Sequence, residues 1–279
     1  MKLFSNHLYI VSTPIGNLDD ITFRSLEVLK NSHIILCEDT RRSIKLLNHY
    51  KIKKKLISLH KFNEKKQLNN VIEYFNEGKI LSLISDAGTP LLSDPGKLLT
   101  NTCLEKKINI VPIPGVSSIT AALSVSGFKD QFLFYGFLPK TEAELEKVLA
   151  DLSEKEYTQV FFIPSKKINF YIKGFKKHFR GRKILMAKEI TKIHEAFIRE
   201  DIDDLKLFKN VVKGEITIVI SEKKNNTKIF DEKKIVNKIK KYLKNYSLKD
   251  TVNLIVETEN INKKKIYDLC LKIKNEKIC

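Results

Sequence analysis

The chain has 279 residues, 42% of them hydrophobic, enough for one large or two modest domains with a real core. Lysine and arginine outnumber aspartate and glutamate 51 to 33, and the net charge of +18 points to a phosphate-bearing partner, nucleic acid or a membrane surface. The competing account is compositional: the chain is rich in Lys, Ile and Asn and has no Trp, as an AT-rich coding sequence would give.

Cys37, Cys103, Cys270 and Cys279 show no CxxC spacing. That argues against a disulfide framework and a zinc site, and for a reducing, cytoplasmic setting. A first strand beginning at Leu8 leaves no room for a signal peptide. No apolar run nears the roughly 20 residues of a membrane span.

Up to about residue 220, short apolar runs alternate with helical patterns. Strands are predicted at 8–12, 33–37, 56–59, 79–84 and 108–111, with helices at 20–30, 41–50, 64–77, 95–106 and 117–125. Such alternation predicts βαβ units and a mostly parallel sheet, a complete domain over 1–127. A second α/β domain, 128–222, is predicted from strands at 132–135, 158–163, 183–187, 194–199 and 215–220. Its helices are expected at 141–153, 165–178 and 201–209. The close pair 183–187 and 194–199 reads as a hairpin, so this second sheet should be mixed. Two α/β domains in one chain place a site in the cleft between them.

After Ser221 the polar stretch EKKNNTK, 222–228, reads as a linker. Residues 231–279 hold thirteen lysines against seven acids. Their apolar stripes predict three short helices: one on Ile235, Ile239, Tyr242 and Leu243, one from Leu248 to Val256 capped by Ser247, and one on Ile261 and Ile266 to Ile273. A basic helical module of this kind either contacts RNA or a partner, or is a small bundle packed on the main body.

The chemistry-bearing motifs cluster where strands end, the edge at which open α/β sheets bind ligands. SDAGTPLLSDPG, 85–96, follows the apolar run ILSLIS and is neither GxGxxG nor GxxxxGK[ST]. Ser93 or Asp94 is expected to cap the next helix, with Pro95 in its first turn. TPIGNLDD, 13–20, puts Pro14, Gly16 and Asn17 after the first strand. In CEDTRRS, Glu38 and Asp39 end the second strand, with Thr40 as the expected cap and Arg41 in the first turn. His60 follows the third strand in LHKFNE, and VPIPGVSSITAA places Ser117 and Ser118 at a helix start. In the second domain, Phe162 and Ile163 lie at a strand end. The segment 187–195 sets Lys188, Glu189 and Lys192 in a basic, polar hairpin suited to an anionic substrate.

Taken in order, TPIGNLDDIT, EDTR, LHxxNE, SDAGTPLLSDPG, VPxPG, AKEITK and KGE resemble the tetrapyrrole methylase superfamily. The resemblance runs from about Leu8 to Ser221, and is narrowest with the branch that methylates a cytidine ribose 2′-hydroxyl in small-subunit ribosomal RNA. It implies S-adenosylmethionine as donor, held between the domains by Pro14, Asp86, Gly88, Thr89, Ser117, Ser118, Phe162 and Ile163, and it implies a homodimer. A hydroxyl nucleophile needs a proton acceptor, for which Glu38, Asp39, His60 and Glu189 all stand as candidates. Asn17, Arg41, Lys188 and Lys192 would hold RNA.

The chain departs from the family pattern in two places. Ile163-Pro164-Ser165 stands where the family has Tyr-Glu-Ser, and Lys188 stands for Arg, keeping charge without the bidentate fork. Two other readings remain open: a methyltransferase for a tetrapyrrole or other small molecule, and a non-catalytic RNA-binding assembly protein.

Overall fold

The computed structural model describes residues 3–223, 232–259 and 263–275. Most of the linker read at 222–228, together with Ile261 and Cys279, lies outside the described residues. Two compact units divide between Lys223 and Lys224.

The larger unit holds two five-stranded sheets. The first consists of β1 (His7–Val11), β2 (Ile34–Cys37), β3 (Lys55–Ser58), β4 (Leu81–Ile84) and β5 (Asn109–Ile113), in the order β3-β2-β4-β1-β5 with every pair parallel. Between them run α1 (Phe23–Asn31), α2 (Thr40–His49), α3 (Glu64–Asn76) and α4 (Lys97–Glu105), and α5 (Ser118–Ser124) follows. Apolar clusters lie on both faces of the sheet, one around Leu8, Leu36 and Leu83 and one around Tyr9, Ile35 and Ile84. Burial on both faces is why these strands read as continuous apolar runs.

The second sheet contains β6 (Phe132–Phe137), β7 (Thr158–Pro164), β8 (Lys183–Lys188), β9 (Ala196–Asp201) and β10 (Glu215–Ile220), with α6 (Glu142–Ser153) and α7 (Ile168–His178). Its order is β6-β7-β10-β8-β9; only β6 and β7 are parallel, and β8 and β9 form the expected hairpin. One face packs on α6 and α7 through Phe161, Tyr171 and Phe175. The other packs Val160, Leu185 and Val219 against Ile15 and Ile119 of the first half. That contact sets the carboxyl edge of the first sheet against the second sheet.

The structure corrects several local expectations. Residues 201–209 form only a 3-10 turn, Ile202–Asp204, followed by irregular chain. A 3-10 turn, Leu18–Asp20, precedes α1, which starts at Phe23. Asp39, not Thr40, caps α2, its carboxylate accepting the Arg41 N–H at 2.9 Å. Neither Ser93 nor Asp94 caps α4, and Pro95 lies outside it; the N-cap is Gly96, which has no side chain to offer.

Among its described residues the smaller unit has three helices, α8 (Glu232–Tyr242), α9 (Leu248–Glu259) and α10 (Lys263–Asn275). They share a core of Ile235, Ile239, Val252, Ile255, Ile266, Cys270 and Ile273. Ser247 caps α9 as expected, accepting the Asp250 N–H at 3.2 Å.

Candidate active site

Three loops at the carboxyl edge of the first sheet are joined to one another. Thr13 and Gly88 exchange two backbone hydrogen bonds, at 2.9 and 3.0 Å. The Ser12 and Thr89 hydroxyls meet at 3.0 Å, and Thr89 donates to the Val116 carbonyl at 3.2 Å. The loops after β1, β4 and β5 thus form one rigid rim. Thr89 spends its hydroxyl inside that rim.

Between the rim and the second sheet lies a cavity of about 570 Å³. Asp86, Gly88, Thr89, Ser117 and Ser118 line one side, and Phe162, Ile163, Ala187 and Thr217 the other. An adjoining cavity of about 320 Å³ is lined by Pro14, Gly16, Lys45 and Lys192. Ile15, Arg42, Asp86, Ala87 and Glu215 border both cavities. All eight residues expected at the donor therefore line one cavity or its neighbour.

Acidic groups crowd this edge. Asp86 accepts the Asp39 backbone N–H at 3.2 Å and pairs with the Arg42 guanidinium at 3.2 Å. Burial pushes the Glu38 carboxyl up, helped by the negative charge of Asp86 and opposed by Arg42 and His60. Asp94 lines the larger cavity and is raised to about 6, first by burial and then by Glu38 and Asp86. Asp39 is the opposite case: its hydrogen bonds from Arg41 hold it down at about 2. Arg41 is thereby committed to Asp39 in open solvent, and Arg42 is the arginine that borders the cavities. His60 sits after β3, where its Nδ1 accepts the Phe62 N–H at 3.3 Å; neither it nor Glu38 lines the larger cavity.

A family model described as Tetrapyrrole (Corrin/Porphyrin) Methylases matches residues 7–206. The chain belongs to the tetrapyrrole methylase family. Among its relatives in that family, a protein of Rickettsia prowazekii named ribosomal RNA small subunit methyltransferase I is 39% identical, over 98% of this chain and 99% of its own. One of the same name from Mesomycoplasma conjunctivae is 42% identical, over 78% of this chain and 92% of its own. The fold also matches the crystal structure of a uroporphyrin-III C-methyl transferase from Thermus thermophilus complexed with S-adenyl homocysteine. The TM-score is 0.56 at 15% identity, covering 77% of this chain and 97% of that one.

In this tetrapyrrole methylase the second-sheet residues divide by strand geometry. Successive side chains of a strand face opposite ways. Ala187 lines the main cavity, whereas Met186 and Lys188 line a different one of about 480 Å³. Glu189 is a clamp: its carboxylate accepts the Glu215 N–H at 2.8 Å and pairs with Lys192 at 3.1 Å, which lowers its pKa. Lys192 is shared with Glu215 at 3.0 Å and faces the adjoining cavity. Asn17 caps the Leu18–Asp20 turn with its side chain, and its backbone N–H donates to Thr191 at 2.9 Å. In the departing segment, Ile163 belongs to the core against α7 while still bordering the main cavity, and Pro164, which ends β7, borders it too.

Sequence reasoning passed over Arg42 and weighed Asp94 only as a cap. Their signal was the carboxyl-edge position itself, shared with every residue singled out.

Proposed function

We propose that this protein methylates the ribose 2′-hydroxyl of a cytidine in small-subunit ribosomal RNA, using S-adenosylmethionine. The observation that carries this reading is the 39% identity to a small-subunit rRNA methyltransferase over nearly the full length of both chains. The cavity fits the donor: about 570 Å³ lies within the range for small-molecule sites, roughly 300–1,000 Å³. Its lining mixes apolar Ile15 and Phe162 with the Asp86 carboxylate, which suits a molecule joining an apolar ring to a cationic centre.

When bound, the donor supplies an electrophilic methyl group on a sulfonium. The residues proposed to hold it are Asp86, Gly88, Thr89, Ser117, Ser118, Phe162 and Ile163, with Pro14 at the neighbouring cavity. Asp86 and Glu38 make the local potential negative and favour a cation there. The rim and the second sheet facing it fix the approach of the hydroxyl, and such alignment supplies much of the rate in a displacement. Arg42, Lys45 and Lys192 border the adjoining cavity, where an RNA phosphate would be held. Arg41 and Lys188 lie further out and serve as more distant RNA contacts.

In this reading residues 1–127 and 128–222 act as two domains closing on the donor, and 231–279 as a separate basic module. The enzyme works in the cytoplasm on the ribosomal subunit. It acts as a homodimer; Phe23 and Phe62, 93% and 92% exposed, offer apolar surface that a second copy would cover. Sedimentation reads the dimer directly.

The deciding experiment incubates the protein with labelled S-adenosylmethionine and undermethylated small ribosomal subunits. Label in RNA, at a cytidine 2′-oxygen, is expected. Donor binding without transfer would favour a binding protein, and label only in an added tetrapyrrole would favour a small-molecule enzyme.

A further inference from the structure

Donor and RNA contacts leave one chemical need unmet, a place for the hydroxyl proton. The four carboxylate and imidazole groups expected for it fall short on geometry. Asp39 is tied to Arg41 outside the cavity, and Glu189 is clamped by the Glu215 N–H and Lys192. Glu38 and His60 line neither this cavity nor its neighbour.

Asp94 does line the cavity, and the surrounding loop is shaped to put it there. Leu91 and Ser93 both adopt left-handed backbone, φ 75° and 71°, which ordinary residues hold only where the surroundings enforce it. Across the cavity β6 bulges between Phe134 and Gly136. A Cβ on Gly136 would come within 2.9 Å of the Ser93 Oγ, so the second sheet leaves room for the loop there. The second sheet thus leaves room for the loop, whose left-handed backbone sets Asp94 on the cavity lining. The charged groups that act on Asp94 are Glu38 after β2 and Asp86 after β4, both of which raise it. Arg42, Lys166 and Glu215 complete the charged lining of the cavity.

We propose that Asp94 is the catalytic residue that accepts the proton of the ribose 2′-hydroxyl, a role that rests on the methyltransferase reading above. As the O–H bond breaks, its proton passes to an Asp94 carboxylate oxygen. The hydroxyl oxygen forms the new bond to the methyl carbon, and the carbon–sulfur pair stays on sulfur. One negative and one positive charge are cancelled together, a neutralisation that an apolar cavity favours. Burial and the two acidic neighbours raise Asp94 to about 6. It is therefore ionised at neutral pH, yet far more basic than an ordinary carboxylate.

The test is single-turnover transfer to undermethylated small subunits at saturating donor, with the affinity for S-adenosylhomocysteine measured separately by calorimetry. Asp94→Asn should slow transfer by about 10²–10⁴-fold and leave that affinity within roughly threefold of wild type. Wild-type transfer should fall as pH drops below about 6. Glu38→Gln should move that limb to lower pH, because a negative neighbour is removed. In carboxyl-labelled resting protein, one NMR resonance should titrate near 6 and disappear in Asp94→Asn.

Wild-type rates in Asp94→Asn, or a loss explained wholly by weaker S-adenosylhomocysteine binding, overturn the assignment. A wild-type protein that binds S-adenosylhomocysteine but transfers nothing to RNA overturns the methyltransferase reading and Asp94's role with it.

Discussion

A carboxylate raised by burial carries a stability cost whose sign can be checked against pH. Asp94 has a folded pKa of about 6 against an ordinary value of 3.8. Below the ordinary value both states are protonated and the cost is absent; above about 6 both are ionised and the cost is complete. Asp94→Asn should therefore stabilise the protein at pH 8 but not at pH 4. The gain should be on the order of 1–2 kcal/mol after discounting for the partial exposure of the group. Urea unfolding at the two pH values measures this, and an equal gain at both would show that the charge is not the cause. Gly16 makes a different argument. A Cβ there would overlap the Lys192 Cγ and stand 2.7 Å from the Thr191 Oγ1. Gly16→Ala should cost roughly 1–3 kcal/mol by overpacking and weaken S-adenosylhomocysteine binding measured by calorimetry. In the sequence Gly16 is legible only as a glycine in the turn after the first strand. What approaches it, a hairpin turn about 175 residues later, has no local signature.

Elements were most legible where burial dictated the pattern, and least where a distant partner did. Among the described residues all ten strands fall where the sequence expects them, most of them on apolar runs, because strands buried against helices or a facing sheet cannot carry charge inward. The local rule holds for the Ser247 cap of α9 and misses by one residue at α2, but it fails at α4 because it looks only at neighbours. At α4 the missing cap is supplied by Glu64, in the first turn of α3, whose carboxylate accepts the Leu99 N–H at 2.8 Å. Glu64 is 8% exposed, so truncating it would leave that buried N–H without a partner. Glu64→Ala should cost roughly 1–3 kcal/mol in chemical unfolding, and Glu64→Gln, which keeps the acceptor, distinctly less. Equal losses would mean that space filling, not the cap, is what Glu64 provides. The segment 201–209 failed for a related reason. Ile202, Leu205 and Phe208 repeat every three residues, as on a helix, and all pack on the α7 core. Yet Asn169 of α7 holds the Phe208 backbone from both sides, at 2.9 and 2.8 Å, and Lys176 donates to the Leu205 carbonyl at 2.9 Å. With side chains satisfying its backbone, that stretch has no need of helical hydrogen bonds.

For the whole molecule, the open matter is whether a charge of +18 is a tool or a by-product of codon usage. The helical unit sharpens it. Most of its described apolar residues are used in its own core, and Lys240, Lys241, Lys244, Lys249 and Lys272 are exposed. Replacing all five with Gln leaves that core untouched, so the melting temperature and S-adenosylhomocysteine affinity should not change. RNA affinity is the discriminating quantity, because each lysine on a phosphate releases a counterion and adds about 0.7 to the steepness of log affinity against log salt for single strands. If three of the five touch phosphate, the slope should become shallower by about 2, and the variant should lose most affinity at low salt. An unchanged slope would mean that these helices do not bind RNA and that their lysines reflect composition alone. A shallower slope would give the basic unit a task that its apolar stripes could not reveal: holding the ribosomal substrate while the cavity, built wholly from the other unit, does the chemistry.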